Sequence, residues 1–395
     1  MCRRVLWEVL GVRIGMFTDS YRPYTSGVVR SLETTAAELT ALGHEVYIFA
    51  PNYPNCEKEA GVFRFASVPT PTYPDFAIAL PFSLNINATV RRLDLDVIHV
   101  HSPFSMGLLG ARCAKRFNLP LVFTYHTMYD QYVHYLPFAR ELSKKVVIKL
   151  ASNFCNRCDL VIAPTEIIRG IISRNIKTEV EAIPTGIVIG EFADADSEWL
   201  RRRYAIPKEH KILLHLGRMG KEKNIRFLLD VYHDVLNVRP DTVFIIVGNG
   251  PDREALQEEA EKKGIDNKVI FTGALPREHV INAYAGADLF IFASVTETQG
   301  LVLGEAKAAG LPAVAVEALG AAEMVKDGVD GFLVPLSREV FTARVLQLLE
   351  DDVLRQEMSA NARLRAEEIS STNMAKKLVS AYERIIARKK CRNAI

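Results

Sequence analysis

The run ILLHLGRMGKEKN, residues 212–224, decides the fold. A strand-like stretch, Ile212–Leu216, stops at Gly217, passes through a basic polar loop and leads into a helical pattern. A strand followed by a loop and a helix is the building unit of a parallel sheet, because parallel neighbours need a long crossover and a helix supplies it. Working outward, apolar strand-like runs recur at Thr242–Val247, Val269–Thr272, Leu289–Ala293, Ala313–Val316 and Phe332–Val334, alternating with helical segments. These runs are nearly continuous in apolar residues, the pattern of strands covered on both faces.

The N-terminal half repeats the theme. Val12–Thr18 reads as a strand, Val28, Leu32, Ala36, Leu39 and Leu42 lie on one face of a helix ended by Gly43, and Glu45–Ala50 reads as the next strand. Strand Asp96–Val100, helix Gly107–Phe117, strand Leu121–Tyr125 and, after a long helix, strand Leu160–Ala163 follow. The expectation is an α/β chain of two doubly wound, Rossmann-like parallel-sheet domains, residues 1–187 and 188–372, with the boundary near Pro184–Glu191. A terminal helical stretch, Met374–Lys389 within residues 373–395, has no strand after it and is expected to pack back on the N-terminal domain. Residues 1–11 read as an extension ahead of the first strand, with Val12 as an alternative start.

At 395 residues, 49% hydrophobic and 24% charged, the composition is that of a globular protein with a large core. A net charge of +2 argues against a nucleic-acid partner. Residues 1–190 carry a net +4 and the remainder −2, which favours the N-terminal half for an anionic surface. Six cysteines form no regular framework and point to a reducing, cytoplasmic compartment; Cys155 and Cys158 lie in a helical pattern without further ligands nearby and read as ordinary helix residues. No apolar run reaches the roughly 20 residues that span a bilayer, and Met1–Leu10 is a poor signal peptide.

In open α/β sheets ligands sit beyond the carboxyl ends of the strands, so the loops there carry the chemistry. After the first strand comes Thr18-Asp19-Ser20-Tyr21, with Gly27 opening a helix; the glycine suits either a plain turn or an anion at the helix N-terminus. His126 follows the strand ending at Tyr125 and is placed either to hydrogen-bond a substrate or as a satisfied half-buried histidine. His99 and His101 share a strand face, yet no third metal ligand is evident. In Gly217–Asn224, Arg218 and Lys223 can neutralise a diphosphate or form a solvated charge cluster. In Ser294–Glu305, Glu297 sits in a loop beside Gly300, and Glu305 is read about two turns into the next helix, seven residues intervening between the two carboxylates.

These residues resemble a family. Gly217–Asn224 looks like the GRxxxEKN motif of family 4 glycosyltransferases, and Glu297 with Glu305 like their EX7E motif. Val247–Pro251, Thr272–Gly273, Ala309–Pro312 and Lys326–Val334 fit the same pattern. The resemblance covers the chain after residue 12. It implies a GT-B fold with the active site in the cleft between the lobes, retention of anomeric configuration and a nucleotide-sugar donor, without cofactor or active-site metal. The family's roles, carried onto matching positions, make His126 and Glu297 the catalytic pair. They make Gly27, Arg218, Lys223, Gly250, Gly300, Leu301 and Glu305 the donor site, Arg218 and Lys223 on the diphosphate and Glu305 on the ribose. Asp19 and Tyr129 are the candidates for the acceptor. Gly320-Ala321-Ala322-Glu323 departs from the family's Gly-Gly-Pro-Glu-like stretch, and Gln299-Gly300 from its Phe-Gly.

Within the family, Tyr125–Tyr129, His134-Tyr135 and the Thr18–Tyr21 loop look most like bacterial diacylglycerol glucosyltransferases. That likeness implies UDP-glucose as donor, a diacylglycerol acceptor and peripheral attachment to the inner face of the plasma membrane. Phe138–Arg157, with Arg140, Lys144, Lys145, Lys149 and Arg157 among apolar residues, suits either an anionic membrane surface or the cover of a sheet. A phosphatidylinositol, a soluble sugar or a cell-wall precursor is the alternative acceptor, and an epimerase or a non-catalytic binding module is the alternative function.

Overall fold

The fold is that of a computed structural model, which describes residues 11–54, 56–70, 76–83, 85–128 and 140–393, the side chains of 140–145 and 393 excepted. It divides into two compact units, one comprising the residues up to Gly186 together with those from Ser371 onward, the other Ile187–Ser370.

The first unit runs β1 (Arg13–Phe17), α1 (Gly27–Ala41), β2 (Glu45–Pro51), β3 (Val62–Phe65), β4 (Ser67–Pro69), β5 (Ala77–Ala79), α2 (Ile86–Leu93), β6 (Val97–Val100), α3 (Ser105–Phe117), β7 (Leu121–Thr124), α4 (Arg140–Cys155), β8 (Leu160–Ala163), α5 (Glu166–Ser173) and β9 (Val180–Ala182). The second runs α6 (Trp199–Tyr204), β10 (Lys211–Leu216), α7 (Ile225–Val238), β11 (Thr242–Val247), α8 (Arg253–Lys262), β12 (Val269–Gly273), α9 (Arg277–Gly286), β13 (Leu289–Phe292), α10 (Leu301–Ala308), β14 (Ala313–Val316), α11 (Ala321–Met324), β15 (Gly331–Val334), α12 (Arg338–Glu350) and α13 (Asp352–Ala366). The chain then returns to the first unit as α14 (Ser371–Asn393).

Among the described residues the first sheet has the order β3-β2-β1-β6-β7-β8-β9 and the second β12-β11-β10-β13-β14-β15, every pairing parallel. In each, the order reverses beside its first strand, between β1 and β6 and between β10 and β13. At such a point the outgoing loops diverge and leave a crevice.

Strand alternation sorts the core of the first unit into two layers. Ile14 and Met16 of β1 pack with Leu32 and Leu39 of α1 and with Leu378, Tyr382 and Ile385 of α14. Phe17 faces the opposite layer with Phe49, Phe123 and Met106 and Leu109 of α3. Terminal helix α14 is thus half of the cover on one face, and each buried Leu or Ile it supplies stabilises the unit by about 1.5–3 kcal/mol. Its polar edge is tied down as well. Glu38 accepts from Ser371 Oγ at 2.5 Å and Thr372 Oγ1 at 3.0 Å, and Lys389 Nζ lies 3.2 Å from Asp159. Cys155 and Cys158 are buried free thiols in the second layer; burial pushes Cys155 up to about 12 and Cys158 upward too, so neither ionises readily. The edge strands β3 and β9 and the antiparallel β4–β5 pair are additional to the strands read from the sequence.

Candidate active site

In the second unit, β10 and β13 flank the switch point, and both exits are held by backbone contacts. Met219 N–H donates to the Asn249 carbonyl at 2.9 Å, and the Met219 carbonyl accepts from Asp252 N–H at 3.1 Å. The loop after β10 therefore lies flat on the loop after β11. Gly250 is required there, because an added Cβ would meet the Met219 carbonyl oxygen at 2.3 Å. Its glycine is explained by this close packing, which fixes the path of Arg218. Asn224, in the left-handed region at φ 52, donates through Nδ2 to the Ala293 carbonyl at 2.9 Å and ties the motif to the end of β13.

These constraints bring Lys223 and Glu297 into direct ion-pair contact, with side chains 17% and 18% exposed. Glu297 Oε1 also accepts from Ser294 Oγ at 2.7 Å. Burial alone would raise the Glu297 carboxyl, but Lys223, Ser294 and the neighbouring His215 outweigh it and hold the carboxyl below the usual range. The lysine read from the sequence as a phosphate ligand is thus also the counter-ion of the loop glutamate. Arg218 lies 3.9 Å from Glu222, and its side chain is 39% exposed. His215 is fully buried on β10. Its Nδ1 faces the Ile291 carbonyl at 3.1 Å, which makes Nδ1 the protonated nitrogen, while Nε2 has no hydrogen-bond partner among the described residues. Burial lowers its pKa to about 4.

Gly300 stands in the left-handed region at φ 85 and starts α10 at Leu301, with no side chain capping the helix. The positive end of the helix therefore faces the loop that carries Glu297, which favours an anion there. Because α10 begins only at Leu301, Glu305 is its fifth residue, about one turn in and not two as read from the sequence. The residue is 7% exposed, and each carboxylate oxygen accepts one hydrogen bond. Oε1 accepts from Arg277 Nη1 at 2.6 Å and Oε2 from Tyr284 OH at 3.0 Å. Arg277 in turn donates from Nε and Nη2 to Glu191 Oε2, at 2.9 and 2.6 Å. Neither Arg277 nor Tyr284 stands out in the sequence, since each lies more than twenty residues from Glu305 in no recurring pattern. The loop after β14 also closes on this region. Gly320 N–H donates to the Glu297 carbonyl at 2.9 Å, so the departure at Gly320–Glu323 still supports the glutamate loop.

In the first unit, Asp19 follows β1 and is 8% exposed. Oδ1 accepts from Ser105 Oγ at 2.6 Å and Met106 N–H at 3.0 Å, and Oδ2 accepts from Ser102 Oγ. That carboxylate pins the start of α3 to the loop after β1. These contacts fix the carboxylate that the sequence offered as an acceptor ligand. Gly27 opens α1, as read, and Ser26 caps it, its Oγ accepting from Val29 N–H at 3.3 Å. His126 follows β7 and meets His101 at the end of the neighbouring β6, Nε2 to Nδ1 at 3.0 Å with rings stacked at 5.2 Å. His99 is occupied by Tyr382 OH at 2.6 Å and Thr124 Oγ1 at 2.7 Å, so the strand-face pair considered for a metal is hydrogen-bonded elsewhere. Burial lowers all three rings, His99 to about 3, His126 to about 4 and His101 well down, so they are neutral near pH 7. Tyr129 lies outside the described residues, as do His134 and Tyr135.

The two units thus carry two strand-end sites, one rich in imidazoles and hydroxyls and the other in cations and carboxylates. Residues 25–190 match the family described as Glycosyltransferase Family 4, and residues 196–365 the one described as Glycosyl transferases group 1. An alpha-monoglucosyldiacylglycerol synthase of Streptococcus pneumoniae is 36% identical over 77% of this chain and 71% of its own. One of Acholeplasma laidlawii is 30% identical over 94% of this chain and 96% of its own. Among solved structures, Anabaena HepE in complex with UDP superposes with a TM-score of 0.76 at 20% identity, over 94% of this chain and all of that one, which shows the shared GT-B fold. The chain is therefore a glycosyltransferase, and it belongs to the family whose members join a Family 4 domain to a group 1 domain.

Proposed function

We propose that the protein is a retaining hexosyltransferase that moves glucose from UDP-glucose to a membrane lipid, 1,2-diacylglycerol. The observation that carries the donor side is the grouping of Arg218, Lys223, Glu297 and the uncapped start of α10 at one strand-end crevice. Two cations and a helix N-terminus there match a leaving diphosphate, whose negative charge grows as the glycosidic bond breaks. Glu297 accepts hydrogen bonds from hydroxyls of the transferred sugar, and Glu305 from the ribose. His126, neutral at working pH, donates or accepts at the reacting centre without adding charge. In the step itself, the anomeric carbon–oxygen bond to the diphosphate breaks and the acceptor oxygen bonds to that carbon on the same face. The hydroxyl proton passes to the departing diphosphate. The residues bind, orient and neutralise, and the donor supplies the leaving group.

The acceptor side is carried by the two synthase relatives. The outer face of α4 supports it. Ala151, Phe154 and Cys155 are buried in the unit, while Val146 and Leu150 are 49% and 62% exposed beside the exposed Lys149. The buried face fits the cover of a sheet, and the exposed face is the one we propose meets the membrane. Among the described residues no helix is long and apolar enough to cross a membrane, so the proposed attachment is peripheral, at the inner face of the plasma membrane. The test is transfer from a panel of UDP-sugars, with GDP-mannose as control, to diacylglycerol in vesicles and to soluble sugars. Products are identified by mass and the new anomeric linkage by NMR. An α-linked glucosyl lipid formed from UDP-glucose is expected. A soluble product, an inverted linkage or a different donor would overturn the corresponding part of the proposal.

A further inference from the structure

Glu305 is held more tightly than a ligand-binding carboxylate needs to be if its only task were to carry charge. A carboxylate has about four lone-pair sites. Arg277 Nη1 takes one on Oε1 at 2.6 Å, and Tyr284 OH takes one on Oε2 at 3.0 Å. One site on each oxygen is left, the arrangement that two neighbouring hydroxyls can fill together. The supports are themselves immobile. Tyr284 is 1% exposed, and the Arg277 fork is fixed at its other edge by two bonds to Glu191. The guanidinium is the counter-charge of a carboxylate on a residue only 7% exposed. Glu191, Arg277 and Glu305 together carry a net negative charge, so the assembly still attracts hydroxyl donors.

We infer that Arg277 and Tyr284 are positioning residues that hold the Glu305 carboxylate aimed at the two ribose hydroxyls, and so set the enzyme's selectivity for a ribonucleotide donor. This rests on the reading of Glu305 as the ribose acceptor. Without Arg277 the carboxylate loses the bond that fixes Oε1 and is free to turn away from the ribose. Lysine does not replace arginine here, because a point charge cannot bridge two carboxylates with the fork's geometry.

The test compares binding of UDP and of 2′,3′-dideoxyuridine diphosphate by calorimetry, with thermal unfolding as the check on folding. Wild-type protein should prefer UDP by at least about tenfold, as expected for hydrogen bonds to a charged acceptor. In Arg277→Lys and Tyr284→Phe that preference should fall towards one, with dideoxy affinity unchanged within about twofold. Tyr284→Phe removes a single hydroxyl and carries the test if the arginine variant does not fold. Equal losses for both nucleotides would mean a merely structural role and would overturn the inference. A full preference retained in both variants would overturn it while leaving the ribose reading intact. A wild type that binds both nucleotides equally would overturn the ribose reading, and the inference with it.

Discussion

Replacing Lys223 by Met keeps most of the apolar stem and removes the charge facing Glu297. In the intact site the two side chains are 17% and 18% exposed, and the glutamate keeps only the Ser294 hydroxyl, at 2.7 Å, once the ammonium is gone. Removing one partner of a fully buried pair costs about 3–5 kcal/mol, and with a fifth of the surface wet and one hydroxyl remaining the expected cost is about 2–3 kcal/mol. For a unit of this size that lowers Tm by about 4–12 °C. Adding Glu297→Gln should recover most of the loss, because a neutral amide there needs no counter-ion, and the double-mutant cycle should show a coupling of about 1.5–3 kcal/mol. Arg218→Ala is the contrast. Its side chain is 39% exposed and 3.9 Å from Glu222, so the cost in stability should stay below about 1 kcal/mol, the range of an exposed ion pair. UDP affinity should fall about tenfold to a hundredfold in both Arg218→Ala and Lys223→Met, since each removes a charge-assisted contact of about 1.5–3 kcal/mol. The pair also has a pH signature. The folded Glu297 carboxyl lies below its unfolded value, so its contribution is present above the ordinary glutamate range and fades as pH falls through the folded pKa. Calorimetric unfolding from pH 7 down to pH 3, with UDP titrations at pH 7, decides the matter. A Lys223→Met protein that melts with the wild type, or a double variant no more stable than the single one, would refute the pairing argument.

The imidazoles of the first unit predict the same direction of acid lability by a different route. Their folded pKa values lie below the unfolded value, His99 at about 3 and His126 at about 4, so the unfolded chain binds protons first and stability falls as pH drops from about 6.5. His101→Asn should make that fall shallower, which stability measured at pH 7 and pH 5 checks. His126→Ala should bind UDP within about threefold of wild type and lose transfer by about a hundredfold, the scale of a positioned polar group; a collapse of UDP binding in a folded variant would remove it from the reacting centre. Reversal of Lys144, Lys145 and Lys149 to Glu should release the protein from anionic vesicles at low salt, since each cation contributes about 1 kcal/mol near such a surface, while donor hydrolysis continues. Unchanged co-sedimentation would count against the α4 membrane face.

Much of the architecture was legible in the chain alone. Nearly continuous apolar runs such as Val243–Val247 and Ala313–Val316 lie in the observed strands because burial on both faces favours apolar residues at every position. The positions of Arg218, Lys223, Glu297 and Glu305 were legible for a related reason, since strand ends in an open parallel sheet are where polar loops converge. The short edge strands were not. Val180–Ala182 is partly exposed along its length and gains its strand character from β8 beside it, so its sequence carries little periodicity. The partners within the site were equally silent. Lys223 meets Glu297 across 74 residues, Arg277 meets Glu305 across 28 and His101 meets His126 across 25. Asp19 reads as a candidate ligand by its place after a strand, and only the approach of Ser102, Ser105 and Met106 turns it into a brace for α3. Local pattern determines which elements form and which face they bury, because propensity and hydrophobic period act over a few residues. Which acceptor a given donor finds is decided by the parallel crossovers, which bring distant strand ends side by side and leave each buried charge only the partners that the finished sheet places within reach.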